Sequence, residues 1–95
     1  MGDDIVIGEN CSIAFGVTFC NSSHRQGISR KRAGDVITQK ILIEDGCWIG
    51  ANVTIMPGVT IQKGCIIGAG SLVTRDCLKD GLYIGSPAHR MKDLL

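Results

Sequence analysis

Rings are scarce in this chain. Two phenylalanines, one tyrosine and one tryptophan are all that its 95 residues contain, which excludes a core built on large aromatic side chains. A surplus of one charge is also lacking. Ten basic and nine acidic side chains leave a formal net charge of +1, so there is no electrostatic case for nucleic acid or another polyanion as partner. No apolar run approaches the ~20 residues that a membrane helix needs. The opening "MGDDIVIG" has neither the basic nor the apolar part of a signal peptide, and the chain reads as cytoplasmic. The length suits one small domain, residues 1–95, with one modest core.

CxxC pairs are absent as well. Five cysteines, an odd number, are separated by 9, 27, 18 and 12 positions. That spacing excludes zinc-finger and thioredoxin-like motifs and speaks against a disulfide scaffold.

What the sequence has is a beat of six. From Ile7, an aliphatic or aromatic marker recurs at Ile13, Phe19, Ile37, Ile43, Ile49, Ile55, Ile61, Ile67 and Val73. Four places after a marker stands a small or branched residue: Cys11, Val17, Ser23, Ile41, Cys47, Val53, Val59, Cys65, Ser71, Cys77. Three places after it, Asn10, Gly16, Gly46, Asn52, Gly58, Gly64 and Gly70 recur, types that tolerate the positive φ of a tight corner. Six is neither the 3.6 of a helix nor the 2 of a simple strand. It describes a short strand, a corner and another short strand, and stacking such units gives a solenoid. Thirteen isoleucines against four aromatics suit the slim interior. Cys11, Cys47, Cys65 and Cys77 share the small inward slot and read as packing residues. Cys20 falls one place after a marker and points outward, without an obvious activating arrangement.

The beat stops in "CNSSHRQGISRKRAGD". The steps at Arg25 and Lys31 carry charge. Burying Arg25, Arg30, Lys31 and Arg32 at or beside inward places would be costly, so residues 25–36 are expected to leave the column as a loop, with the phase resuming at Ile37. The column then has a little over three coils; if the loop residues formed faces instead, it would have four. From its charge alone the excursion reads as a solvated basic loop. His24 at its base is a candidate general base, because imidazole titrates near working pH. Trp48, one place before a marker, is an outward indole on a ring-poor column.

With "IGENCSIAFGVTF", "CWIGANVTIMPGVTI", "IIGAGSLVT" and "GSPA" in a six-residue frame, the chain resembles the hexapeptide-repeat acyltransferases. Within them it is most similar to the galactoside, maltose and xenobiotic O-acetyltransferase branch. The likeness runs from about Ile5 to Lys92. The resemblance implies an all-β, left-handed parallel β-helix with a protruding loop (about 24–36) and a C-terminal tail (about 85–95) ending in a short helix. It implies a homotrimer that binds acetyl-CoA and a small-molecule acceptor in clefts between subunits, without a metal. It implies too that the loop, rather than being merely solvated, helps wall the cleft of a neighbouring subunit. His24 matches the catalytic histidine and Trp48 the tryptophan beside it. Ala51, Ala69 and Thr74 match coil-edge positions that hold the pantetheine amides. His89, Arg90 and Lys92 match tail positions set against the coenzyme A phosphates. His24 and Trp48 never share a face of one chain, so they are expected to meet across a subunit boundary.

Relatives carry an N-terminal segment and earlier coils that supply acceptor-binding side chains, whereas this chain starts directly at a coil. It therefore reads either as a fragment or as a minimal form with an altered or absent acceptor site. Two rival functions follow. The fold also hosts zinc-dependent carbonic anhydrases, but those need three histidine ligands and this chain has two histidines, His24 and His89. The other rival is a non-catalytic β-helix serving as a binding or assembly module.

Overall fold

The beat of six becomes the three faces of a prism. The computed structural model describes residues 5–95, and among these every regular element is a strand. The first coil consists of β1 (Ile5–Ile7), β2 (Ser12–Ile13) and β3 (Thr18–Phe19). The chain then leaves the column through β4 (Ser22–Gln26) and β5 (Ala33–Thr38). It returns as β6 (Ile41–Ile43), β7 (Trp48–Ile49) and β8 (Thr54–Ile55), then as β9 (Thr60–Ile61), β10 (Ile66–Ile67) and β11 (Leu72–Val73). β12 (Gly81–Gly85) begins a further coil and β13 (Ala88–Asp93) ends the fold.

Strands of like position lie parallel, one coil above another. The first sheet is β1-β6-β9, the second β2-β7-β10-β12 with β13 at its end, and the third β3-β8-β11. Between coils the register is fixed: Trp48 lies opposite Ser12 on one side and Ile66 on the other. A one-residue slip would turn every inward side chain outward.

The markers do what the periodicity predicts. Ile43, Ile49, Ile55, Ile61, Ile67 and Val73 are at most 1 % exposed. Ile41, Val53, Val59, Cys47, Cys65 and Cys77 join them in the core. All seven corner positions read from the sequence adopt positive φ, from 58° at Asn52 to 79° at Gly58. Asp80, at φ 56°, is an eighth corner that the repeat did not reveal. Removal from water pushes the Cys47 thiol up to about 11 and the Cys77 thiol up to about 12, and raises Cys65 as well. These cysteines are neutral packing residues.

Two expectations need correction. The excursion is longer than residues 25–36. Ile7 lies opposite Ile43, thirty-six residues on, whereas Ile43 lies opposite Ile61, eighteen on. Eighteen residues therefore leave the column, and Ile37 belongs to the excursion rather than to a face. The tail forms no helix; β13 pairs antiparallel with β12. A helix of so few residues is marginal alone, and it would leave the edge of the second sheet unpaired.

Arg90 locks that ending in place. Its Nη1 donates to the Leu78 carbonyl at 2.9 Å and to the Tyr83 hydroxyl at 3.2 Å, while Nη2 reaches the Lys79 and Asp80 carbonyls at 3.3 and 3.4 Å. The guanidinium lies 5.6 Å from the Tyr83 ring centroid, and Nε pairs with Asp93 at 2.9 Å. The other end of the column is more open. Ile5 and Ile7 are 41 % and 43 % exposed, and Ile13, Val17 and Phe19 are only half-buried.

Ile49→Ala is therefore expected to lower stability by about 2–5 kcal/mol and Ile7→Ala by well under that, measured by urea unfolding. The buried thiols also set a pH dependence. Above their ordinary value of 9.0 the unfolded chain sheds thiol protons that the folded chain keeps up to about 11–12. Their contribution is thus complete below pH 9.0 and is lost as pH rises through that window. The urea midpoint should fall there, and Cys77→Val should reduce the fall.

Candidate active site

The excursion is a β-hairpin with a fault in it. Ser22 pairs with Thr38, Ser23 with Ile37 and His24 with Val36, but Gln26 then pairs with Ala33. Gly34 and Asp35 together face Arg25, which is a β-bulge. At the bulge the Gly34 carbonyl lies 2.8 Å from His24 Nδ1. A carbonyl only accepts, so Nδ1 carries the proton, and the neutral ring keeps its lone pair on Nε2. No partner engages Nε2 among the described residues, and the side chain is exposed. The result is a base with a fixed tautomer and an open basic atom. Gly34 is required sterically: a Cβ there would come within 2.8 Å of the Arg25 carbonyl.

Trp48 stands on the outer face of the second sheet and is 56 % exposed. Its neighbours across the strands form a row of Ser12, Trp48, Ile66, Leu82 and Lys92. His89 pairs with Ile84, two places beyond Leu82, on the same face. Three strand spacings of ~4.8 Å put Lys92 about 14 Å from Trp48 along this face. Ala51 and Ala69 occupy successive turns at the corner between the second and third sheets, where the Gly70 N–H donates to the Ala51 carbonyl at 2.8 Å. Thr74 follows Val73 at the far edge of the third sheet, above the edge where the hairpin departs after Phe19.

The structure thus gathers Trp48, His89 and Lys92 on one face, with Ala51 and Ala69 at its border. Arg90 does not join them, because the register shift between Leu82 and Tyr83 pairs it with the inward Tyr83. His24 and Thr74 belong to the opposite corner. In a three-sided column the corner between the third and first sheets lies opposite the second sheet, so the hairpin root and Trp48 are on different sides of one chain.

The Gly34 carbonyl was missed by the sequence reading. Its one sequence signal was a glycine just after the charge run, a common mark of a bulge. A hollow of about 310 Å³ lies elsewhere, on the first sheet between Val6, Leu42, Glu44, Asp45 and Lys63, and no candidate residue lines it.

Nitrogen-15 NMR of the neutral imidazole should show His24 as the Nδ1–H tautomer. Gly34→Ala should return it toward the ordinary mixture of tautomers, and an Nε2–H ring in the unaltered protein would refute the assignment.

Comparison with known proteins agrees with the fold. The family profile "Bacterial transferase hexapeptide (six repeats)" matches residues 40–75. A galactoside O-acetyltransferase from Lactococcus lactis is 36 % identical over 84 residues, covering 88 % of this chain and 41 % of the relative. A hexapeptide-repeat acetyltransferase from Vibrio cholerae, solved with acetyl-coenzyme A, superposes with a TM-score of 0.89 at 37 % identity, over 96 % of this chain and 50 % of that one. A galactoside acetyltransferase solved with coenzyme A gives a TM-score of 0.88 at 34 % identity, over 96 % and 46 %. The chain spans about half the length of the relatives it matches. With the six-residue repeat, the three-sided prism and these likenesses in agreement, the chain belongs to the hexapeptide-repeat acyltransferase family and folds as its left-handed parallel β-helix.

Proposed function

We propose that the protein transfers an acetyl group from acetyl-CoA to a hydroxyl of a sugar-like or xenobiotic acceptor, with His24 as general base. The observation that carries this reading is the 2.8 Å contact between His24 Nδ1 and the Gly34 carbonyl, which leaves Nε2 as the basic atom. Nε2 takes the acceptor's hydroxyl proton as the oxygen attacks the thioester carbonyl. The new C–O bond forms, the C–S bond breaks, and the imidazolium returns the proton to the departing sulfur. Acetyl-CoA supplies the activated acyl group, and a backbone N–H polarises its carbonyl. No covalent acetyl-enzyme is needed.

The outer face of the second sheet suits the co-substrate. Trp48 marks the thioester end, Ala51 and Ala69 offer backbone groups at the border of this face, Thr74 of a neighbouring copy offers its own from the hairpin side, and Lys92 with His89 meets the phosphates. Arg90 contributes less than its position suggested, because its guanidinium already holds the chain end. Opposed placement of His24 and Trp48 on one chain, together with the exposed row of Trp48, Ile66 and Leu82, supports a homotrimer. Each cleft then takes the histidine of one copy and the tryptophan of the next. Five unpaired cysteines and the need for acetyl-CoA favour the cytoplasm. Among the described residues no helix is long and apolar enough to cross a membrane.

A non-catalytic assembly module is the second reading. Titration calorimetry with coenzyme A separates the two, since the module reading requires no binding. In the enzyme, His24→Ala should lower turnover by roughly 10²–10⁴-fold with coenzyme A affinity retained. Lys92→Ala should weaken coenzyme A by about tenfold with little effect on turnover at saturation. Light scattering should give three chains per particle; a stable monomer would remove the cross-subunit site.

A further inference from the structure

We infer that the hairpin fits this site to an acceptor carrying an anionic group, a phosphate or carboxylate, near the hydroxyl that is acetylated. The inference rests on the reading of His24 as the base at the acceptor.

The charge distribution carries it. Arg25, Arg30, Lys31 and Arg32 are four of the chain's ten basic residues, and Asp35 is the hairpin's one carboxylate; the rest of the chain holds six basic and eight acidic residues. The field is therefore local to the excursion on an otherwise acidic chain. None of these cations is neutralised. The one ion pair among the described residues is Arg90–Asp93. Lys31 Nζ donates to the Ala33 carbonyl at 2.7 Å and Arg32 Nη1 to the Gly27 carbonyl at 3.2 Å, and neutral acceptors leave both charges uncompensated. Arg25 and Arg30 have no polar partner among the described residues. Four like charges crowded onto a short hairpin repel one another, and an anion between them removes that repulsion.

Position separates these cations from the coenzyme. The tip begins three residues from His24, about 10 Å at ~3.3 Å per residue, which is close to one Debye length at physiological salt. The thioester must lie at His24, and the diphosphate is at the far end of the pantetheine arm, where Lys92 and His89 stand. The hairpin cations thus sit at the acceptor end. Arg25 projects from the face of β4 opposite His24, so the group acts through its combined field rather than through one fixed contact.

The test uses the His24→Ala protein, which binds without turning over, and calorimetry with galactose, galactose 6-phosphate and glucuronate. The expected result is that at least one anionic sugar binds about tenfold tighter than galactose at low salt. That advantage should shrink at high salt and fall to about threefold in Arg25→Ala/Arg30→Ala, which removes two of the four charges, with coenzyme A affinity unchanged. Preference between the two anions identifies phosphate or carboxylate as the recognised group. Both arginines are exposed and unpaired, so folding should survive; Arg25→Gln/Arg30→Gln must give the same loss. Equal binding of all three sugars overturns the inference. So does a loss of coenzyme A affinity in the double variant, or tight binding of a single-stranded oligonucleotide with no preference among sugars. If the unaltered protein transfers no acetyl group but still binds an anionic sugar through these arginines, the acetyl-transfer reading fails while the binding site stands.

Discussion

Each coil must return to its starting corner after eighteen residues, because only then do its N–H groups meet the carbonyls of the next coil. Trp48 donates to Cys65 at 2.9 Å, Gly50 to Ile67 at 2.8 Å, Thr54 to Ser71 at 3.0 Å and Met56 to Val73 at 3.0 Å. Closure in so few residues forces left-handed backbone at the corners and admits only slim branched side chains inside. A run that cannot obey, such as Arg25 to Lys31, is expelled sideways. The column thereby relegates its chemistry to whatever it cannot absorb, and the hairpin that carries His24 exists on those terms.

Sequence periodicity revealed most of this because corner and core are both local demands. It failed where a residue fitted the frame for another reason. Ile37 keeps the beat, yet it pairs with Ser23 in the hairpin, where ordinary strand alternation happens to match the hexad. Asp80 escaped notice because the repeat frays after Val73. The short helix expected of the tail does not form, because the unpaired edge of β12 outweighs whatever helical preference His, Arg, Met, Lys and Leu carry. Handedness was legible only through family likeness, since the general rule for crossovers points the other way.

The site divides along the same line. That Trp48 faces outward follows from phase alone, whereas His24 is exposed because it lies on a hairpin outside the column. What orients His24 does not follow from phase either, because the Gly34 carbonyl reaches the imidazole only after a bulge shifts the pairing of two strands. The same kind of shift, between Leu82 and Tyr83, turns Arg90 onto Tyr83 and the carbonyls of the last turn, while His89 and Lys92 stay on the outer face. Cross-strand register is a property of two segments at once, and neither segment displays it alone.

The ending of the column has an effect on the fold as a polymer. β13 runs against the direction of the other strands in its sheet, and Arg90 ties down the carbonyls of the last turn. Parallel stacking cannot continue past such a terminator. At the opposite pole β1, β2 and β3 are outermost in their sheets among the described residues, all running the same way. In the second sheet a duplicated coil can therefore enter only below this cap, in steps of eighteen residues, so the sheet lengthens while its end stays closed.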